Sequence, residues 1–193
     1  QARQSRASPL SASPSRMAEP ASPETAPASS GQGRGARLWL WLSALLVGID
    51  QAGKILVQST ILRGDRVRVL PCFDLTLRYN PGAAFSFLAG EPGWQRWFFA
   101  AIATAVSAVI VYLLRREPER RWACVGLTLV LGGAIGNCID RVLFGHVVDF
   151  LLVYWGESQW PAFNIADAAI SVGVVLFALD AAFREQPEHE KSS

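Results

Sequence analysis

The chain has 193 residues, 51% of them hydrophobic and 18% charged, with a formal net charge of +2 and a mean hydropathy of +0.24. Soluble domains carry roughly 25% charged residues, so this composition speaks against an ordinary soluble globule. A net charge of +2, with no basic cluster interleaved with aromatics, gives no support to a nucleic-acid surface.

In chain order, residues 1–33 are rich in Ser, Ala, Pro, Gly and Arg without apolar periodicity and read as a disordered tail. The chain opens at Gln1 rather than Met, which points to a start further upstream. Residues 34–184 then form one domain and 185–193 a polar C-terminal tail. Four stretches, 38–62, 94–114, 122–139 and 161–183, approach or exceed the roughly 20 apolar residues that a membrane-crossing helix needs. The first is too long and too polar at its centre for a secretory signal peptide and lacks a small-x-small site at its end. The second carries a single charge, Arg96, and the third is short and glycine-rich.

Between the first two spans, Val67, Val69, Phe73, Leu75, Leu77 and Tyr79 alternate with other residues around Pro71, the period-2 pattern of a hairpin with one apolar face. The pattern ends in the turn signal Asn80-Pro81-Gly82. Arg34 and Arg37 precede span one, Arg115, Arg116, Arg120 and Arg121 link spans two and three, and Arg184 and Lys191 follow span four. The positive-inside rule makes these cytoplasmic and leaves 63–93 and 141–160 outside. Arg63, Arg66, Arg68 and Arg78 in the outer loop make that bias mild. Trp39, Trp41, Trp94, Trp97, Trp122, Trp155 and Trp160 fit interfacial belts. Cys72, Cys124 and Cys138 lack CxxC or Cys/His ligand spacing, so neither a disulfide framework nor a zinc site is expected. Cys124 and Cys138, inside apolar runs, read as small buried thiols.

A charge near the bilayer centre costs about 2.5–3.5 kcal/mol on insertion scales, so it is a functional hypothesis by default. Asp50 and Lys54 share a helix face at i, i+4; a self-neutralising pair and a functional pair fit equally well. Gly132 and Gly136 form a small-xxx-small surface for a neighbouring helix, and Asn137, Asp140 and Arg141 follow on one face. Asp140 beside Arg141 has the ready alternative of a terminal ion pair. Asp149 sits in the apolar loop segment HVVDF, where a solvated charge is out of place. Asn164 and Asp167 share a face at the start of span four, where the helix dipole alone favours a carboxylate. Asp180, near the inner end, reads as reaching the interface without a specific partner, and His146 as a loop residue.

Span three runs outward and span four inward, so these acids and amides converge near the outer face, with Asn80 entering from the outer loop. No GxSxG, SxxK or HExxH occurs, which leaves nucleophilic Ser or Cys schemes and a metal centre with little support. Two aspartates in a low-dielectric pocket share one proton; one then activates water while the other protonates the scissile carbonyl or leaving amine. The residues thus read as an intramembrane aspartic hydrolase. The rivals are a small ion-coupled transporter relaying through Asp50, Lys54, Asp140 and Asp167, and a non-catalytic lipid- or peptide-binding membrane protein. Against the transporter, no inverted repeat is visible and the acids cluster at one face.

Asp50-Gln51-x-x-Lys54, Asn80-x-Gly82-Ala83-Ala84-Phe85-Ser86, GGAIGNCIDR at 132–141, VVDF at 147–150 and FNIAD at 163–167 resemble the bacterial lipoprotein signal peptidases (signal peptidase II). The resemblance covers roughly residues 38–183, and five ordered motifs make it specific. It implies an all-α membrane protein of four transmembrane helices with a small periplasmic β-sheet platform between helices 1 and 2. It further implies residence in the bacterial cytoplasmic (inner) membrane, both termini cytoplasmic, as a monomer among membrane lipids. The implied activity is cleavage of diacylglyceryl-modified prolipoproteins just before the lipidated cysteine, without metal or cofactor, inhibited by globomycin. Carried over by motif, Asp149 and Asp167 are the catalytic pair. Asp50, Lys54, Asn80, Gly133, Asn137, Asp140, Arg141 and Asn164 form the supporting or substrate-binding shell. Asp140 is the competing candidate; Asp149 is preferred because the resemblance places the catalytic aspartate in VVDF and because Arg141 is expected to hold Asp140 ionised.

Overall fold

The computed structural model describes residues 30–82 and 93–184, with side chains from residue 35 onward. The expected C-terminal tail, nearly all of the N-terminal one, and Ala83, Ala84, Phe85 and Ser86 of the second motif lie outside the described residues. Four helices, α1 (Ser30–Thr60), α2 (Trp94–Arg116), α3 (Arg121–Phe144) and α4 (Ile165–Arg184), are each long and apolar enough to cross a membrane. α1 begins at Ser30, ahead of the start that hydropathy marks.

α3 is the central helix and packs against α1, α2 and α4. In its apolar stretch 61% of residues are buried, against 17–22% in the other three. Lipid cannot drive helices together hydrophobically, so close packing of small residues has to do it. On α3, Gly132 and Gly136 face Leu46 and Asp50 of α1, while Gly133 faces the Ala166 carbonyl of α4. The small-xxx-small surface is therefore an α1 contact, and Gly133 is a contact to α4 that the i, i+4 pattern did not single out. α3 ends at Gly145, whose left-handed backbone (φ 76) lets its N–H bond the Arg141 carbonyl at 3.1 Å. The chain then turns at once into a strand.

The hairpin between α1 and α2 is present as β1 (Arg66–Leu70) and antiparallel β2 (Phe73–Asn80). The sheet is wider than that loop: β3 (Val147–Trp155) and β4 (Ser158–Gln159), from between α3 and α4, complete the order β1-β2-β3-β4. The HVVDF segment, expected as loop, is thus mostly strand, and Val147, Val148, Asp149 and Phe150 are all buried. Its period-2 signal is missing because neither face of this strand end meets water.

The apolar alternation of β2 also breaks. Between Leu75↔Leu151 and Arg78↔Asp149, β2 has one residue more than β3, a bulge that leaves both Thr76 and Leu77 buried. Thr76 satisfies its hydroxyl on the Asp65 carbonyl at 2.8 Å. Leu77 joins Val57, Ile61, Val148 and Phe150 in a core that seats the sheet on the end of α1. Val67 and Val69 on the edge strand are exposed.

Replacing Gly133 by Ala drives a methyl group into the Ala166 carbonyl and the Ile170 side chain, neither of which can swing away without parting α3 from α4. Overpacking of this kind costs about 1–3 kcal/mol. A thermal melt in detergent is expected to show the loss for Gly133→Ala and none for Gly48→Ala, where nothing lies within 4 Å.

Candidate active site

Two polar layers meet where the outer end of α3, the start of α4 and β3 converge. The deeper is built on Lys54. Its Nζ lies 2.7 Å from Asp50 Oδ2, 2.9 Å from Asp140 Oδ2 and 3.2 Å from Asn137 Oδ1. Lys54, Asp50 and Asp140 are all at least 99% buried. An ion cluster so deep survives only if every remaining polar atom is bonded. The second oxygen of Asp50 accepts the Ala166 N–H in the first turn of α4 at 2.9 Å. Asp140 Oδ2 also accepts the Val148 N–H of β3 at 3.1 Å. Gln51 donates to Asp140 Oδ1 at 2.9 Å and to the Gly136 carbonyl at 3.1 Å. The cluster therefore grips both elements that carry Asp149 and Asp167.

The shallower layer holds those two aspartates. α4 starts with a capping box: the Asp167 N–H bonds Asn164 Oδ1 at 2.9 Å, and the Asn164 N–H bonds Asp167 Oδ2 at 3.3 Å. The reciprocal cap fixes the Asp167 carboxylate, whose Oδ1 also accepts Asn137 Nδ2 at 2.7 Å. Asp149 is held by amides on both oxygens, Asn164 Nδ2 at 2.8 Å and Asn80 Nδ2 at 3.0 Å. Asn164 thus touches both aspartates, and its Nδ2 also reaches Asn137 Oδ1 at 3.3 Å and the Val148 carbonyl at 3.2 Å. Asn80 is braced in turn, its Oδ1 accepting the Gly82 N–H at 2.9 Å.

Among the described residues, neither Asp149 nor Asp167 forms an ion pair. Burial pushes the Asp149 carboxyl, on β3 and outside the spans, up to about 7, with the nearby Asp167 charge adding to the rise. The amides of Asn80 and Asn164 and the charge of Lys54 oppose it without cancelling it. Two carboxyls that share a buried pocket can divide the roles of acid and base between them.

Every sequence-expected site residue among the described ones lies in or beside these two layers, but not all in the expected way. Asp50 and Lys54 do pair. Asp140 makes its ion pair with Lys54 and not with Arg141, whose guanidinium lies over the Phe99 ring of α2 at 5.2 Å and acts on Asp140 only through its field. Arg141 anchors on the Asn137 carbonyl at 3.2 Å and is close enough to Asp167 to act on it electrostatically. Gly133 contributes helix packing, with its α carbon against Ala166. The His146 and Tyr79 rings meet at a tilt of 56°, centroids 4.4 Å apart. Asp180, expected to lack a specific partner, forms a 2.5 Å ion pair with Arg120 at the far end of the bundle. Gln51 also belongs to the deeper layer, and its place next to Asp50, one residue round the helix, is the only sign of that in the sequence. Cys124 is buried, Cys138 partly so, and Cys72 exposed.

The chain matches the family model described as "Signal peptidase (SPase) II" over residues 42–183. It is 55% identical over 152 residues to the lipoprotein signal peptidase of Pseudomonas putida, covering 77% of this chain and 89% of that protein. It is 52% identical over 142 residues to the lipoprotein signal peptidase of a Janthinobacterium species, covering 74% and 86%. Two solved structures, described as bacterial membrane enzymes obtained by the in meso method at 2.3 Å and 1.9 Å resolution, superpose with TM-scores of 0.70 and 0.68. Each shares 31% sequence identity, and the first covers 81% of this chain and 94% of its own.

Lys54→Met leaves two fully buried carboxylates without a cation, a change worth about 3–5 kcal/mol of stability. Its melting temperature in detergent is expected to fall sharply. The triple variant Asp50→Asn, Lys54→Met, Asp140→Asn, which removes the charges together, should recover much of the loss.

Proposed function

The chain belongs to the signal peptidase II family, and on that premise we propose that Asp149 and Asp167 are the catalytic pair of an aspartic peptidase. The protein is a multi-pass membrane peptidase that removes signal peptides from prolipoproteins. Our reading of the substrate is a diacylglyceryl-modified prolipoprotein, cut just before the lipidated cysteine and blocked by globomycin. The catalytic domain is residues 34–184, working as a monomer; among the described residues both aspartates and the amides that hold them come from one chain. Its termini and the arginine-rich end face the cytoplasm and its dyad faces the periplasm. The arginines flanking the helices support that orientation.

One observation carries the assignment of the pair. Of the four aspartates in the site, Asp50 and Asp140 are tied to Lys54, whereas Asp149 and Asp167 are held by amides and share an electrostatic field. Of these four, only the second pair has no cation within ion-pair distance among the described residues. In the mechanism we infer, the Asp167 carboxylate takes a proton from water as its oxygen attacks the scissile carbonyl carbon. Protonated Asp149 gives its proton to the carbonyl oxygen. Collapse of the tetrahedral intermediate returns that proton to Asp149, while Asp167 passes its own to the departing amine nitrogen. Arg141, nearer in effect to Asp167 than to Asp149, favours this division of labour. The ion-relay alternative has no support from the geometry, since the acids gather at one end of the bundle.

Asp149→Asn and Asp167→Asn are expected to lower cleavage of a diacylglyceryl prolipoprotein by at least roughly 10²–10⁴-fold, with melting little changed. Asp140→Asn should lose stability and rate together. Full activity of Asp149→Asn, read as a globomycin-sensitive mobility shift, contradicts the assignment.

The pH dependence has a definite sign. A carboxyl raised to about 7 keeps its proton below that pH and loses it above. With Asp149 as acid, kcat/KM should fall about tenfold per unit on the alkaline side of 7. A profile flat from pH 6 to 9 in reconstituted vesicles rules out that role.

A further inference from the structure

We propose that a groove between α3 and α4, at the arginine-rich end of the bundle and remote from the dyad, binds one anionic phospholipid, with an acyl chain between the helices and its phosphate at Arg121 and Arg184. The groove has a structural cause. α3 and α4 touch backbone to backbone where Gly126 meets Gly173: a Cβ at Gly126 would stand 2.7 Å from the Gly173 carbonyl oxygen. Beyond that crossing, toward the end away from the dyad, lies a cavity of about 350 Å³ lined by Trp122 of α3 and by Leu176, Leu179, Asp180, Phe183 and Arg184 of α4. That volume is at the small end of ligand sites, roughly 300–1,000 Å³, and suits one chain better than a helix.

Of its lining, Asp180 is already paired: Arg120 bonds Asp180 Oδ2 at 2.5 Å and Glu117 Oε2 at 2.8 Å. The wall is aliphatic and aromatic, and Trp122 and Phe183 at the mouth are exposed. Charge selects the occupant. This end carries Arg115, Arg116, Arg120, Arg121 and Arg184 against Glu117, Glu119 and Asp180. Arg120 consumes two of the three carboxylates, and Arg116 is laid on Tyr112, donating to its hydroxyl at 2.9 Å. Arg121 and Arg184 are exposed beside the groove, at the helix ends where phosphates of a bilayer lie. Guanidinium groups match phosphate in fork geometry as well as in charge, and basic pockets between transmembrane helices bind acidic headgroups. A zwitterionic lipid would bring a choline cation against the same arginines.

The test uses the full-length protein equilibrated in vesicles of equal phosphatidylglycerol and phosphatidylcholine with identical acyl chains. Lipid retained after transfer to detergent is then weighed by native mass spectrometry. Wild type is expected to retain the glycerol lipid several-fold over the choline lipid. Arg121→Gln with Arg184→Gln, both exposed and tolerable to the fold, should bring the ratio close to one. Leu179→Trp, which fills the groove, should lower retention of both, and Arg66→Gln at the opposite end should change nothing. Soluble glycerol phosphate should not displace the bound lipid. Equal retention by wild type, a preference that survives in the double arginine variant, or displacement by a second copy of the chain as a dimer each overturns the proposal.

Discussion

Lys54 is the constraint on which the rest of the site depends. One ammonium, out of reach of water, is shared between Asp50 on its own helix and Asp140 on α3. Each carboxylate spends a further lone pair on the backbone of another element, Asp50 on the first turn of α4 and Asp140 on the start of β3. In an apolar bundle such bonds have no aqueous competitor, so their geometry is enforced by the several kcal/mol that breaking a buried pair costs. The cluster therefore acts as a clamp: it fixes the element bearing Asp149 relative to the element bearing Asp167. Catalytic groups must be held near their working geometry by neighbours that are themselves locked.

The same clamp sorts four aspartates into two kinds. Two are satisfied by a cation. Two are satisfied by the amides of Asn80, Asn137 and Asn164, which orient a carboxyl without neutralising it. The amide N–H donors favour the ionised carboxyl, so they temper the effect of burial on Asp149 without replacing it by an ion pair. Burial then raises Asp149, which suits it to the acid role proposed for it. Asn164 links these devices, since the residue that caps α4 also donates to Asp149.

Much of this was legible in the sequence. Long apolar runs marked all four helices, because each must satisfy its backbone internally to cross lipid. Polar residues inside those runs marked the site, because nothing else justifies their presence. The sheet was only half legible. β1 and β2 alternate on either side of Pro71, but β3 is buried on both faces at its start and offers no alternation to read. The ion-pair partner of Asp140 is hidden in the sequence for a related reason. Arg141 is adjacent in sequence, yet adjacent helical residues point about 100° apart, and Lys54 on another helix is the one that meets it. The Asp180–Arg120 pair, sixty residues apart in sequence, was likewise a product of helix packing with no local signature. Gln51 sat in plain view, but its reach to Gly136 and Asp140 depends on how closely α1 and α3 approach through Gly132 and Gly136.

The most direct measurement is a structure of the protein bound to a peptide-like inhibitor carrying a secondary hydroxyl in place of the scissile carbonyl, the shape of the tetrahedral intermediate. The account predicts that this hydroxyl lies within hydrogen-bond reach, about 2.6–3.2 Å, of both the Asp149 and Asp167 carboxylates, with Asp140 still on Lys54. A hydroxyl bound to Asp140, or to only one of the two proposed aspartates with water absent from the other, would contradict it.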